Sequence, residues 1–328
     1  MMKQTSEKPC RICGSLGPHQ AWTVRDLRGT ERIEYTYFKC ASCGCLQNLD
    51  MPSDASGLYT SEYYSLKAAP ERKRADNFLK GLLRRSAARV AFRKNWHERL
   101  KKIFTLPTHH EWFVTGNATF SSAILDVGCG SGELLLRVAK EGFRGAMGLE
   151  PFLDKDITYP NGLRIRKGSM GDLAGRGLFD FMMLNHSLEH MIDQHEAFGH
   201  ITRLLKDEGT AMVRVPMGTS LAWDEYGADW VQLDPPRHLY LHSEESIRLL
   251  AAENGLQVFK TVYDSWEFQF VGSELCRAGV PIEEHKGYLR KNEPFDKATL
   301  RGFRLKAMEL NETGKGDMAC FYLRKAQP

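Results

Sequence analysis

Three glycines alternate with other residues in "LDVGCGSGELL", at Gly128, Gly130 and Gly132. They follow the apolar run of "AILDVG" directly and precede the helical pattern "GELLLRVAKEG" directly. A strand that turns at once into a helix needs backbone angles with φ above zero, which glycine adopts without steric cost. In an open sheet of alternating strands and helices, such a turn sits at the crevice where ligands bind. The alternation continues downstream. "GAMGLEP", "LRIRKG", "FDFMMLN", "TAMVRVP", "LQVFKTVYD" and "DMACFYLRK" read as strands. "DQHEAFGHITRLLKDEG" and "SEESIRLLAAENG" read as helices, the first opening on a capping box from Asp193 and Glu196. The pattern predicts an α/β chain with a mostly parallel, doubly wound sheet.

A glycine cluster alone also suits a dinucleotide. A dinucleotide fingerprint, however, needs its third glycine one place later, where this chain has Glu133. A carboxylate at the helix N-terminus opposes a pyrophosphate that needs the same helix dipole. Asp126 can accept a hydrogen bond from a cationic amino group. Glu150, at the tip of the second strand in "GLEP", is placed to take both hydroxyls of a ribose. S-adenosylmethionine (SAM) has that ammonium and that ribose, and it has no phosphate.

The N-terminal stretch "MMKQTSEKPCRICG" lacks the apolar core of a signal peptide, and no apolar run reaches bilayer length. A cytoplasmic chain is expected, so its eight cysteines read as ligands or free thiols. Cys10-x-x-Cys13 and Cys40-x-x-Cys43, with 26 residues between the pairs, form a zinc signature. Four thiolates complete a tetrahedral shell and leave no place for a catalytic water, which makes the Zn2+ structural. An unmetallated thiol pair and a redox dithiol are the alternatives. Cys45 is surplus to a full shell, and Cys276 and Cys320 read as core residues.

The motifs "LDVGCGSGELL", "GLEP", "FDFMMLNHSLEHM" and "LLKDEGTAMVRVP" occur in order between about Ser122 and Asp264. There the chain resembles the class I SAM-dependent methyltransferases, which implies a Rossmann-like fold. The resemblance places Gly128, Cys129, Gly130, Gly132 and Pro151 beside the cofactor. Asn185, His186 and Leu188 are expected to line its pocket, and Ser169 and Met170 to meet the adenine in place of the usual acid. With "CRICGS", "FKCASCG" and "LYTSEYYS" ahead of them, the whole is similar to bacterial methyltransferases carrying an N-terminal zinc-binding unit. Several of those act on nucleotide-linked sugars and surface-glycan or antibiotic-sugar precursors. The resulting division is a zinc-binding unit over 1–50, a basic helical linker over 51–110 and a methyltransferase domain over 111–328. Substrate-covering insertions are expected at about 217–242 and 265–315.

The stretch "LDPPRHLYLHS", Leu233 to Ser243, contains an Asp-Pro-Pro of the kind that grips nucleobases, but it follows the fifth strand instead of the fourth. A stiff loop over the cofactor mouth is expected instead. By the resemblance, His238 is a candidate proton acceptor at the substrate, or else a structural histidine. Arg237 is a candidate clamp for an acceptor phosphate or carboxylate. Trp223, Tyr226 and Trp230 offer flat faces for a sugar, or else core packing. Glu189 and His190 are expected to shape the pocket, His242 to be structural and Ser243 to cap a helix.

Charge is distributed unevenly. Lys67 to Lys102 carries thirteen Lys/Arg against three Asp/Glu, a local +10, in a chain of net +4, so the remaining residues sum to −6. The segment reads as a solvated helical linker, or as a steering surface for an anionic sugar nucleotide or lipid-linked glycan. Peripheral contact with an anionic inner membrane face is a further expectation. Nucleic acid is not an expected partner, and nothing in the sequence sets the oligomeric state. O-methylation of a quinone or phenolic ring, a zinc-ribbon RNA methyltransferase and a non-catalytic SAM-binding protein are the alternatives.

Overall fold

The chain opens with an antiparallel meander, β1 (Lys3–Ser6), β2 (His19–Arg25), β3 (Glu34–Lys39) and β4 (Leu46–Asn48), whose neighbours in sequence pair in space. The computed structural model describes residues 3–28, 33–52, 85–86, 88–90, 92, 106–291 and 294–327. The two cysteine pairs lie in matching turns of the meander. Gly14 N–H donates to Cys10 O at 2.9 Å and Gly44 N–H to Cys40 O at 3.0 Å, with φ of 69° and 72° at the two glycines. Only a residue without a Cβ takes that left-handed backbone freely.

Helix and strand then alternate through α1 (Thr108–Thr115), β5 (Ile124–Val127), α2 (Glu133–Glu141), β6 (Ala146–Glu150), β7 (Ile157–Thr158), β8 (Arg164–Lys167) and β9 (Phe179–Asn185). They continue through α3 (Gln194–Leu204), β10 (Leu205–Pro216), α4 (Leu221–Tyr226), β11 (Tyr240–Leu241), α5 (Glu244–Glu253) and β12 (Leu256–Tyr263). The chain ends with α6 (Phe268–Arg277), α7 (His285–Lys291), α8 (Lys297–Glu312) and β13 (Met318–Lys325). Among the described residues the main sheet runs β12-β13-β10-β9-β5-β6-β8-β7. β5 is buried at all four positions, as expected for a strand covered on both faces. It pairs in parallel with β6 on one side and β9 on the other, so the strand order reverses there and a crevice opens beyond their C-terminal ends.

The sheet is mostly parallel, as expected; β13, antiparallel between β10 and β12, and β7, antiparallel to β8, are its exceptions. One expectation needs correction. The helix expected over 193–209 ends at Leu204, and Leu205 already belongs to β10, paired with Phe179. Leu204 and Leu205 are both fully buried, and an extended backbone sends successive side chains to opposite faces of a sheet covered on both sides. Asp193 caps the helix by accepting from Glu196 N–H at 2.8 Å.

The N-terminal meander is joined to the main sheet's insertions. β11 adds to its edge, pairing Tyr240 with Gln47 and Leu241 with Leu46, and Asn48 N–H donates to Leu239 O at 2.9 Å. Trp22, Val24, Tyr37 and Leu46 share one apolar cluster with Trp223, Trp230, Phe270 and Leu310. "LDPPRHLYLHS" is therefore the seam between the two parts. Most of the basic segment 67–102 lies outside the described residues, so the expectations placed on it do too; Phe92 packs against His110 and Phe113. Among the described residues no helix is long and apolar enough to cross a membrane.

Candidate active site

The glycine loop closes over the ends of β5 and β6 in the conformation its composition demands. Gly128, Gly130 and Gly132 have φ of 73°, 56° and 81°. A Cβ on Gly128 would lie 2.5 Å from Ser187 Cβ, in the turn that follows β9, and one on Gly132 would lie 2.5 Å from Ile165 Cδ1. The loop is thus bare backbone pressed between the turn after β9 and a side chain of β8. Cys129 is partly buried, and its sulfur lies beneath Gly148, where a Cβ would come within 2.4 Å of it.

Two acids frame this cradle. Asp126 is 4% exposed and Glu150 5%, and among the described residues neither forms an ion pair. Glu150 accepts from Gly130 N–H at 2.9 Å and Phe152 N–H at 3.2 Å, which fixes its carboxylate at the strand tip. Burial, with the charge of Glu150 behind it, pushes the Asp126 carboxyl up to about 8. Burial raises Glu150 as well, against those two backbone donors. A cationic amino group brought to this place would return Asp126 to its ionised form. The donor set therefore fits a ligand with an ammonium and a ribose. Glu133 contributes less than expected to phosphate exclusion: its carboxylate is 69% exposed and pairs with Arg137 one turn on.

The other cofactor candidates divide. Ser169 is exposed and its hydroxyl donates to Asp172 Oδ2 at 3.0 Å, so the acid missing from the sequence position returns to it through a capping box. Pro151 is exposed beside Glu150. Met170 and Leu188, 4% and 0% exposed, belong to the central apolar core. Asn185 closes β9, and its Oδ1 stands 3.5 Å from Arg214 Nη1, a long contact.

Beyond β9 the turn carries a polar chain that the sequence reading did not assemble. Arg214 Nε donates to Asp264 Oδ2 at 2.8 Å, and its Nη1 donates to His186 Nε2. With Nε2 accepting, His186 carries its proton on Nδ1, 3.2 Å from Glu189 Oε1. His186 holds a left-handed φ of 54°, a strained conformation for a residue with a Cβ. Glu189 is fully buried; burial pushes its carboxyl up, but the His186 bond and the surrounding histidines outweigh that and hold it at about 2. Asp317, also buried, accepts from Trp230 Nε1 at 3.1 Å, and burial raises it to about 6. One cue was available: Arg214 is a single charge within the apolar run "TAMVRVP".

The seam loop lowers His238 onto the same turn. Leu239 N–H donates to Glu189 O at 2.8 Å, and Tyr37 Oη donates to His238 O at 2.8 Å. His238 Nδ1–H donates to Gln232 O at 2.6 Å, which makes Nε2 its lone-pair nitrogen. Burial, then the neighbouring His190, lowers its pKa to about 4. Arg237 is turned the other way. Its Nη2 donates to Asp234 Oδ1 at 2.7 Å with its side chain 11% exposed, so the fork expected for an acceptor phosphate is already occupied. Trp223, Tyr226 and Trp230 are 5%, 5% and 0% exposed within the shared apolar cluster; they pack the insertion and offer no face to a sugar. His242 is buried between Gln194 and Ser246, and Ser243 caps α5, as expected.

In the meander, Cys10 Sγ lies 3.6 Å from Cys43 Sγ, and Cys13 Sγ lies 3.6 Å from Cys40 Sγ. Tetrahedral thiolates at a zinc–sulfur distance of about 2.3 Å stand roughly 3.75 Å apart, so the four sulfurs suit one ion. Gln47 Nε2 donates to Cys10 Sγ at 2.9 Å, and Cys45 stays outside the group.

A family model described as a methyltransferase domain matches residues 78–261, more than half of the chain. No curated protein matches it. Among solved structures, the YcgJ protein from Bacillus subtilis is similar over 67% of this chain and 100% of its own, at 15% identity and a TM-score of 0.43. Geranyl diphosphate C-methyltransferase from Streptomyces coelicolor A3(2) is similar over 79% of this chain and 87% of its own, at 15% identity and a TM-score of 0.43.

Proposed function

This chain belongs to the methyltransferase-domain family and is a SAM-dependent methyltransferase, and from that premise we propose that its acceptor is a small molecule, a sugar nucleotide or surface-glycan precursor. The observation that best supports the cofactor's placement is the cradle itself: two buried acids with no ion pair among the described residues, at the tips of adjacent strands, beneath three left-handed glycines. Asp126 would hold the amino group and Glu150 the ribose hydroxyls. SAM supplies a methyl group already activated as a sulfonium. The protein then has to position the acceptor and act on the oxygen or carbon that attacks.

That work falls to the turn after β9 and the seam loop above it. Ser187 abuts Gly128, so Glu189, His190 and His238 stand within a few residues of the cofactor loop. The Asp264–Arg214–His186 chain fixes the carboxylate of Glu189. His238 is the residue proposed to act at the acceptor through its Nε2 lone pair. The four-cysteine group is proposed to hold one structural zinc ion, which keeps the meander folded and so supports the loop that carries His238. The preference for a glycan precursor rests on the sequence resemblance and on this union of a four-cysteine unit with the substrate-side loop. The basic segment 67–102 is proposed to draw in an anionic acceptor, or to rest the protein on an anionic membrane surface.

The test is incubation with methyl-labelled SAM and a panel of sugar nucleotides, polyprenyl-linked glycans, catechols and quinols, read by mass spectrometry. Label on a sugar nucleotide or lipid-linked glycan supports the reading. Label on phenolic rings alone overturns the acceptor class.

A further inference from the structure

Glu189, His190 and His238 each place one ligand atom within 4.8 Å of the other two. Four features make this group more than a chance crowding of polar side chains. Glu189 is fully buried, His186 occupies its Oε1, and its Oε2 is buried without a hydrogen-bond partner among the described residues. A buried carboxylate oxygen left in that state costs free energy, so its presence asks for a ligand. His238 Nδ1–H donates to Gln232 O at 2.6 Å and His190 Nδ1–H to Arg237 O at 3.0 Å. In the neutral ring each of these bonds leaves the lone pair on Nε2 and fixes the ring's orientation. Metal-binding histidines are held in this way, by a backbone carbonyl or carboxylate on the far nitrogen. Finally, the two rings meet edge to face with centroids 4.8 Å apart.

We propose that Glu189, His190 and His238 bind a divalent first-row transition-metal ion, and that this ion takes an oxygen of the acceptor at an open coordination position beside the cofactor loop. Two imidazoles and one carboxylate are the donor set of zinc, manganese and iron(II) sites, and three protein ligands leave room for a substrate atom. Neighbouring donors around such an ion stand roughly 3–3.5 Å apart at bond lengths of about 2.0–2.2 Å, so binding draws the group inward by about an ångström. The ion would hold the acceptor and lower the pKa of a bound hydroxyl, whose proton leaves to solvent. This assignment rests on the methyltransferase reading for the identity of the oxygen ligand; the metal site itself rests on the three side chains. It is separate from the four-cysteine group, which offers soft sulfur in place of nitrogen and oxygen.

The test uses the full-length protein, with calorimetry against SAM run alongside. Mn2+ is added and free Mn2+ is followed by electron paramagnetic resonance; this harder ion favours the nitrogen and oxygen site over the thiolates. The expected result is Mn2+ binding by the wild type, weakened at least about tenfold in Glu189→Gln and His238→Gln but unchanged in Asp207→Asn, a carboxylate 92% exposed on the surface. Metal analysis after zinc loading should give about two ions per chain in the wild type and about one in Glu189→Gln. Circular dichroism on Glu189→Gln, a near-isosteric change, guards against loss of fold. A wild type that binds SAM, holds about one zinc and leaves Mn2+ free overturns the metal site and returns the His238 lone pair to direct proton acceptance. Failure to bind SAM, with Mn2+ still taken up, overturns the methyltransferase reading of the crevice and leaves the metal site standing.

Discussion

Arg28, beyond the second strand of the meander, grips Asp234 in the seam loop with Nε on Oδ1 and Nη2 on Oδ2, both at 2.9 Å. Arg237 binds the same carboxylate from the other side, at 2.7 Å. Asp234 is 4% exposed, and the two guanidinium groups overcome its burial and hold its carboxyl far below the usual range. One buried anion thus ties the N-terminal unit to the loop that carries His238.

Asp234→Asn should lower stability at neutral pH by about 3 kcal/mol, because Arg28 and Arg237 lose the carboxylate they share and keep only the more distant Glu283, at 3.3 Å, and Asp26, at 3.9 Å. The pH dependence has a definite sign. A carboxylate whose pKa falls on folding stabilises the native state above the unfolded value of about 4 and loses that contribution as pH drops through the acid range. Thermal melts of the wild type should therefore fall progressively below about pH 4, while those of the variant start lower and change less. Equal slopes would remove Asp234 from this role.

Gly128→Ala should lose SAM affinity by more than about tenfold while keeping the native circular dichroism spectrum. The added methyl group meets Ser187 Cβ at 2.5 Å and imposes strain at a φ of 73°. Calorimetry measures the loss. An alanine variant with native affinity would show that the loop has room the structure denies it.

Tyr37→Phe removes the hydroxyl that donates to His238 O and leaves that buried carbonyl without its donor. A cost of about 1–3 kcal/mol in stability is expected. Turnover should drop while SAM affinity stays within about twofold, since Tyr37 touches the seam loop and not the glycine cradle. An equal fall in SAM binding would contradict the separation of the two sites.

His238→Ala should abolish turnover and leave SAM affinity nearly intact, whether Nε2 acts on a proton or holds a metal. Single-turnover kinetics with a confirmed acceptor provide the measurement. Retention of most of the rate would exclude the ring from the chemistry.

Cys13→Ser should purify without zinc at the meander and melt at a lower temperature. The expected penalty includes the seam, because β4 and β11 share a ladder. A variant as stable as the wild type would show that the four sulfurs hold no structural ion.

The glycine cradle was legible from the chain alone, because its chemistry is local. Gly128 to Gly132 need their backbone angles whatever surrounds them, and the cysteine pairs are set by spacing within two short turns. Alternating strand and helix periodicities likewise announced the doubly wound core and the ends of β5 and β6 where Asp126 and Glu150 sit. Long-range contacts decided the rest. The aromatic residues Trp223, Tyr226 and Trp230 look alike in a sequence whether they meet a sugar or a core, and only the arrival of Trp22 and Phe270 sends them inside. Arg237 seemed free until Arg28, 209 positions earlier, brought a shared partner into place. Glu189 and His238 lie 49 positions apart and are joined where Leu239 N–H donates to Glu189 O. Periodicity records what each segment buries, but not which distant segment it meets, and in this protein the proposed acceptor side of the site is made of such meetings.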